Sequence, residues 1–96
     1  MRIRGVTWSR STKKWVATVR NDGSVAAKVS IAGFPLENGV PGMTVWVNNV
    51  HLGPNQERQL IGDYGNFNVP SGTRLKVHVL LKPDKIKLDE KVIVMN

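Results

Sequence analysis

Hydrophobic and polar residues alternate with a period of two along most of this chain, and glycine, proline and asparagine repeatedly interrupt the alternation. A period of two places successive side chains on opposite faces of an extended strand, whereas a helix needs apolar residues three and four apart. Helical spacing is nearly absent here, so the pattern predicts strands only. Seven are expected. The first is Arg2–Ser9, in which Val6 and Trp8 share a face but Ile3 is out of phase with them. Gly5 lies between, and a bulge or bend there restores the phase. The second is Lys14–Asn21, with Trp15, Ala17 and Val19 on one face and Thr18 and Arg20 on the other. The third is Val25–Ile31, with Val25, Ala27, Val29 and Ile31 on one face.

Between the second and third strands lies Asn21-Asp22-Gly23-Ser24. Asp-Gly tolerates the positive φ values of a type I′ turn, so these two strands are expected to form a tight hairpin. Gly33–Gly42 holds three glycines and two prolines and reads as a loop. The fourth strand is Met43–Val50, where Met43, Val45 and Val47 alternate with Thr44, Trp46 and Asn48. Gly53-Pro54-Asn55 makes a turn, and a less regular fifth strand follows at Arg58–Asp63. Phe67–Val69 is a short segment between turn signals. The sixth strand, Thr73–Leu81, has the cleanest alternation, with Leu75, Val77, Val79 and Leu81 inward and Lys76 and His78 outward. The seventh covers Lys85–Met95, with a break near Asp89-Glu90.

Seven strands separated by turn signals about every ten residues define an all-β fold, an immunoglobulin-like antiparallel β-sandwich with one wet face on each sheet. A small closed barrel of the OB type is the competing architecture. OB folds usually carry a helix between the third and fourth strands, and no helical segment is found here, so the sandwich leads. The 96 residues, 1–96, are expected to form a single domain. A chain of this length builds one two-layer core with little room for a deep cleft.

With the strands placed, the stretch ATVRNDGSVAAKVSI from Ala17 resembles the strand, Asn-x-Gly turn and strand of the CARDB type of immunoglobulin-like domain. VHLGPNQERQL from Val50 resembles that family's hydrophobic strand with its Pro-Asn turn, and GTRLKVHVLLKPD from Gly72 its glycine-led penultimate strand. The same pattern is similar to fibronectin type III domains and to the sandwich domains of archaeal pilin-like surface proteins. The likeness runs from Val6 to Asp84. It departs at Arg58–Asn66, which lacks the family's alternation, and at the long Gly33–Gly42 loop. The resemblance implies a non-enzymatic module for adhesion or filament assembly at a cell surface or outside the cell. It supplies no catalytic or ligand residues.

Charge changes the picture at one end. The net charge is +7, and Arg2, Arg4, Arg10, Lys13, Lys14 and Arg20 precede the first acidic residue. A cluster of this kind favours polyanions such as nucleic acid or acidic glycans, so Arg2, Arg4, Arg10, Lys13 and Lys14 form a candidate polyanion patch. The competing reading is an ordinary solvated surface. Trp8 and Trp15 flank the turn that carries Arg10, Lys13 and Lys14, an arrangement that suits stacked single strands. Both tryptophans also share faces with core residues, and packing is the favoured reading.

Trp46 is different. If Met43, Val45 and Val47 face the core, Trp46 lies outside with Thr44 and Asn48, and these three form the candidate protein interface. In the reversed register Trp46 is core. The partner is then a protein or a second copy of the chain. The apolar terminal strand KVIVMN either closes its own sheet or adds to a neighbour's edge.

Chemistry beyond binding finds little footing. There is no cysteine, so disulfides, zinc thiolates and thiol nucleophiles are excluded. His51 and His78 read as surface residues, 27 positions apart in a spacing that fits no zinc site. Asp84, Asp89 and Glu90 are interleaved with lysines, and a neutralised face outweighs a calcium site. No cofactor, metal or catalytic residue is expected. No apolar run approaches the roughly 20 residues of a membrane helix. A surface or extracellular location is favoured over the cytoplasm, with any leader or anchor lying outside these residues.

Overall fold

The computed structural model describes residues 1–36, 44–65, 67–83 and 85–96. Seven strands run in chain order as β1 (Arg2–Ser9), β2 (Lys14–Arg20), β3 (Ala27–Pro35), β4 (Val45–Leu52), β5 (Glu57–Asp63), β6 (Thr73–Leu81) and β7 (Ile86–Met95). They form two antiparallel sheets, β1-β2-β5 and β4-β3-β6-β7, and no helix occurs among the described residues. The architecture is all-β and sandwich-like, as the alternation predicts. The part of the expected fourth strand at Met43 lies outside the described residues, as does most of the expected Gly33–Gly42 loop.

The core lies between the sheets. Trp15, Ala17 and Val19 of β2 face Val29 and Ile31 of β3 and Leu75, Val77 and Val79 of β6, and all are fully buried. Their period-two spacing puts each set on one side of its strand, and the opposed sets exclude water from one another. The bulge expected at Gly5 is present: the β1–β2 register shifts between Ile3 and Gly5. That shift returns Ile3 to the buried side with Trp15 and Val19.

Trp15 fixes the spacing of the two layers. It pairs across the ladder with Gly62 of β5. A Cβ on Gly62 would lie 2.0 Å from indole Cε2, and one on Gly33 of β3 would lie 2.7 Å from the same atom. The largest core side chain therefore occupies a slot left by two glycines, one in each sheet. This corrects the expected strand end at Ile31. Gly33 continues β3 to Pro35, because here glycine marks a close approach and not a turn.

The hairpin expected at Asn21–Ser24 is also corrected. β2 pairs with β1 and β5, whereas β3 pairs with β4 and β6, so the segment carries the chain from one sheet to the other. Asn21 builds the corner. Its Oδ1 accepts from Gly23 N at 3.0 Å, and its Nδ2 donates to Val25 O at 2.9 Å and Leu52 O at 3.1 Å. Its own backbone N–H donates to Gln56 O at 2.9 Å. The side chain is buried and fully engaged, an Asx turn in place of a type I′ turn. Because the chain is crossing between sheets, Val25 lies outside β3 and is 74% exposed, contrary to its expected inward position.

The sandwich is stitched along the side where β1 meets β7. Ile3 N donates to Asp89 Oδ2 at 2.8 Å, and Arg10 donates to Val69 O at 2.6 Å and Met95 O at 3.3 Å. The terminal strand pairs with β6 along its length and forms the edge of its own sheet. In place of the break expected at Asp89-Glu90, it stays continuous and shifts register beside Leu88.

Candidate binding face on the four-stranded sheet

The outer face of β4-β3-β6-β7 is built by the residues alternate to the core set. Cross-strand pairing arranges them in rows. Trp46 pairs with Ala32, Ala32 with His78, and His78 with Glu90. One row along, Phe34 pairs with Lys76 and Lys76 with Val92. Ser30 pairs with Leu80 and Leu80 with Lys87 on the other side. The face therefore carries aromatic, aliphatic and lysine side chains together.

Trp46 is 46% exposed in this face, on the outward register that the sequence favours. Thr44 lies directly before β4, and it and Asn48 are exposed as well. The three expected interface residues thus occupy one side of the edge strand. A bulge follows them: the β3–β4 register shifts between Val29 and Ile31, and Asn49 takes a φ of 57°. The extra residue lets Val50 and Leu52 return to the core while Trp46 and Asn48 stay outside. Asn48 Oδ1 accepts a hydrogen bond from Ser30 Oγ at 3.0 Å, which satisfies a buried hydroxyl in the middle of the sheet.

His78 points to the outer face, as expected, but its neighbours cover most of it. Phe34 meets it edge-on, with ring centroids 5.1 Å apart. Its Nε2 lies 3.1 Å from Glu90 Oε2, although the pair is not aligned as a hydrogen bond. Burial pushes the His78 pKa below its ordinary value, against the opposing pull of Glu90. Glu90 also takes Lys87 at 3.0 Å and Lys76 at 3.6 Å, and the Lys87 hydrogen bond holds its carboxyl below the usual range. One carboxylate thus gathers three basic side chains on the β6–β7 half of the face.

Past this cluster, Trp46, Asn48, Lys82 and Lys85 line an open depression of about 300 Å³. Lys82 N donates to Lys28 O at 3.1 Å, extending the β3–β6 ladder one step and placing Lys82 beside Lys28. Among the described residues, Lys28, Lys82 and Lys85 form no ion pair. Asp84, the acid between them in sequence, lies outside the described residues. The sequence pattern places Lys76 and His78 on this face, but says nothing of Lys82 and Lys85. Those two line one depression with Trp46 and Asn48 in the fold, a grouping that no alternation in the sequence marks.

The N-terminal cations are arranged differently. Arg2 and Arg4 sit at one end of β1, and Arg10, Lys13 and Lys14 at the other. Arg2 and Arg20 pair across the ladder, and both engage Asp22, at 3.1 and 3.3 Å. Arg4 lies 3.8 Å from Glu57. Arg10 donates to two carbonyls and stands 5.9 Å from the centroid of Trp8. Lys13, at a φ of 55°, and Lys14 complete the β1–β2 turn. The stretch that is contiguous in sequence is divided in space and partly neutralised by acids that come later in the chain.

Of the acids weighed for calcium, Asp89 accepts from Ile3 N and from Glu90 N, while Glu90 holds the basic cluster. No group of three metal-ligating side chains occurs among the described residues. No helix among them is long and apolar enough to cross a membrane. Neither the models of known protein families nor the curated proteins include a match to this sequence.

Proposed function

We propose that this chain is a non-enzymatic binding and assembly module, and that it contacts its partner through the outer face of the four-stranded sheet around Trp46. The observation that carries this reading is the half-exposed indole on the edge strand of the four-stranded sheet, where Trp46 pairs with Ala32. A large aromatic held by a sheet loses little side-chain entropy on binding, which is why such residues anchor interfaces. Phe34 and Leu80, half-buried, and Val92 and Val94, exposed on β7, lie on the same outer face.

The order β1-β2-β5 against β4-β3-β6-β7 supports a fibronectin type III form of the immunoglobulin-like sandwich, with the fourth strand on the sheet of the third. That analogy supports an adhesion or filament role at a cell surface, and it rests on fold alone. The surroundings of the histidines support a binding role over catalysis. His78 meets Phe34 and Glu90, and His51 lies exposed on the edge strand β4.

Trp46→Ala is expected to leave the far-ultraviolet circular dichroism and the unfolding midpoint nearly unchanged, since the side chain is not core. It is expected to weaken self-association in sedimentation equilibrium, or retention on the cell envelope, by about tenfold. Unchanged sedimentation together with unchanged retention removes this face from the function.

A further inference from the structure

We infer that the depression between Trp46 and the β6–β7 turn binds single-stranded nucleic acid, with a base stacked on Trp46 and its phosphates held by Lys82, Lys85 and Lys28. The inference rests on the outer sheet face being the contact surface, and it names the chemistry of what that face takes. Three observations converge on it. The indole is half-exposed at the rim of a depression of about 300 Å³, a size at the lower limit of ligand pockets. Two lysines line the same depression, and the backbone of a third, Lys28, is hydrogen-bonded to one of them. These three lysines form no ion pair among the described residues, whereas Arg2, Arg4 and Lys87 each meet an acid.

An aromatic plane flanked by cations that form no ion pair among the described residues suits a ligand that offers both a flat ring and a repeating anion. A nucleotide strand offers both, and base stacking is indifferent to sequence because every base has a π-face. Asn48 adds an amide at the depression that can meet a base edge. A second copy of this chain can meet the face at Trp46 but offers no anion to the lysine end in a chain with a net charge of +7, whereas a phosphate backbone does. The chain's net charge of +7 draws a polyanion to the site from a distance.

The test titrates a dye-labelled oligothymidylate of roughly fifteen nucleotides with the full chain at low salt, read by anisotropy for wild type and every variant, with tryptophan quenching as a second readout in wild type. Trp15 is buried and Trp8 half-buried, so Trp46 dominates the response. Saturable quenching is expected. Trp46→Ala is expected to weaken binding between about five- and a hundredfold, with Trp46→Phe retaining most of it. Lys82→Gln combined with Lys85→Gln is expected to lower the slope of log affinity against log salt by about 1.4, two phosphate contacts.

Absence of binding at low salt overturns the inference. So does binding that survives these substitutions but is lost in Lys13→Gln with Lys14→Gln, which moves the site to the β1–β2 turn. Equal affinity for heparin that ignores Trp46 reduces the site to charge alone and also overturns it. Tighter binding of an acidic glutamate–tyrosine copolymer than of the oligonucleotide reassigns the face to an acidic protein. If Trp46→Ala disrupts self-association or envelope retention while the oligonucleotide fails to bind, the face stands and the ligand class falls.

Discussion

Trp15 shows how a single residue sets the dimensions of the fold. Its ring needs a slot in each sheet, and Gly33 and Gly62 supply them by having no side chain. The indole Nε1 is buried without a hydrogen-bond partner, so the stability of this arrangement comes from packing and not from polar pairing. Gly62→Ala is therefore expected to destabilise the protein by at least about 1–3 kcal/mol, because a rigid ring 2.0–2.3 Å from the new Cβ has to move. For a domain of this size that is a fall of roughly 5–20 °C in the thermal midpoint, read by calorimetry. A midpoint within a degree of wild type would show that the layers accommodate the methyl group. Gly53, whose nearest neighbour is the end of a flexible side chain at 3.5 Å, is the control position.

At the scale of elements, the joints are as informative as the strands. The corner at Asn21 links β2 to β3, and its side chain also ties the corner to Leu52 at the end of β4. The backbone of the same residue reaches Gln56 just before β5. One residue thus joins the ends of strands from both sheets, through its side-chain amide to Leu52 and its backbone N–H to Gln56. Asn21→Ala is expected to cost about 2 kcal/mol, because it strips partners from the buried carbonyls and frees the turn. Asn21→Asp removes both donors while keeping the acceptor for Gly23, and is expected to lie near the alanine variant in denaturant titrations. Full stability in both would mean that Asp22 and Gly23 alone set the corner. The two bulges have a similar joining role. The shift at Gly5 recovers Ile3 for the core, and the shift at Asn49 recovers Val50 and Leu52 while leaving Trp46 outside.

Over the whole molecule the two outer faces differ in character. The three-stranded sheet pairs opposite charges at the two ends of the β2–β5 ladder, Lys14 with Asp63 and Arg20 with Glu57, with Val16, Ile61, Thr18 and Gln59 between them. The four-stranded sheet presents Trp46, Phe34 and a lysine-rich rim. This contrast supports the proposal that binding falls on the four-stranded side of the sandwich. Global stability is expected to respond to alkali through Tyr64, the only tyrosine, which burial pushes from 10.0 up to about 12. The folded state favours the neutral phenol, while the unfolded chain releases its proton near pH 10. The associated stability is present in full below pH 10 and is lost as pH rises towards 12. Tyr64→Phe is expected to flatten that part of the stability curve relative to wild type in urea titrations. Parallel curves for the two proteins would show that the phenol titrates alike in both states.

The sequence by itself determined what depends on local alternation. It marked seven strands, with β1 and β6 at their observed ends, because half-buried strands must repeat every two residues. It placed Trp15 in the core and Trp46 outside, because neighbours in phase share a face. It also placed the bulge at Gly5, where the phase had to be restored. The tertiary structure decided what depends on which strand lies beside which. Asp-Gly looks the same in a hairpin and in a corner between sheets, and only the pairing of β2 with β5 and of β3 with β6 separates them. Gly33 read as a loop because its requirement is set by Trp15, eighteen positions earlier. The cations clustered in the sequence were parted along β1, and Arg2, Arg4 and Arg20 were met by Asp22 and Glu57. Lys82 and Lys85, far from Trp46 in the sequence, line one depression with it in the fold. Proximity along a chain fixes local conformation, but electrostatics and recognition depend on distance in space, and the fold sets that distance.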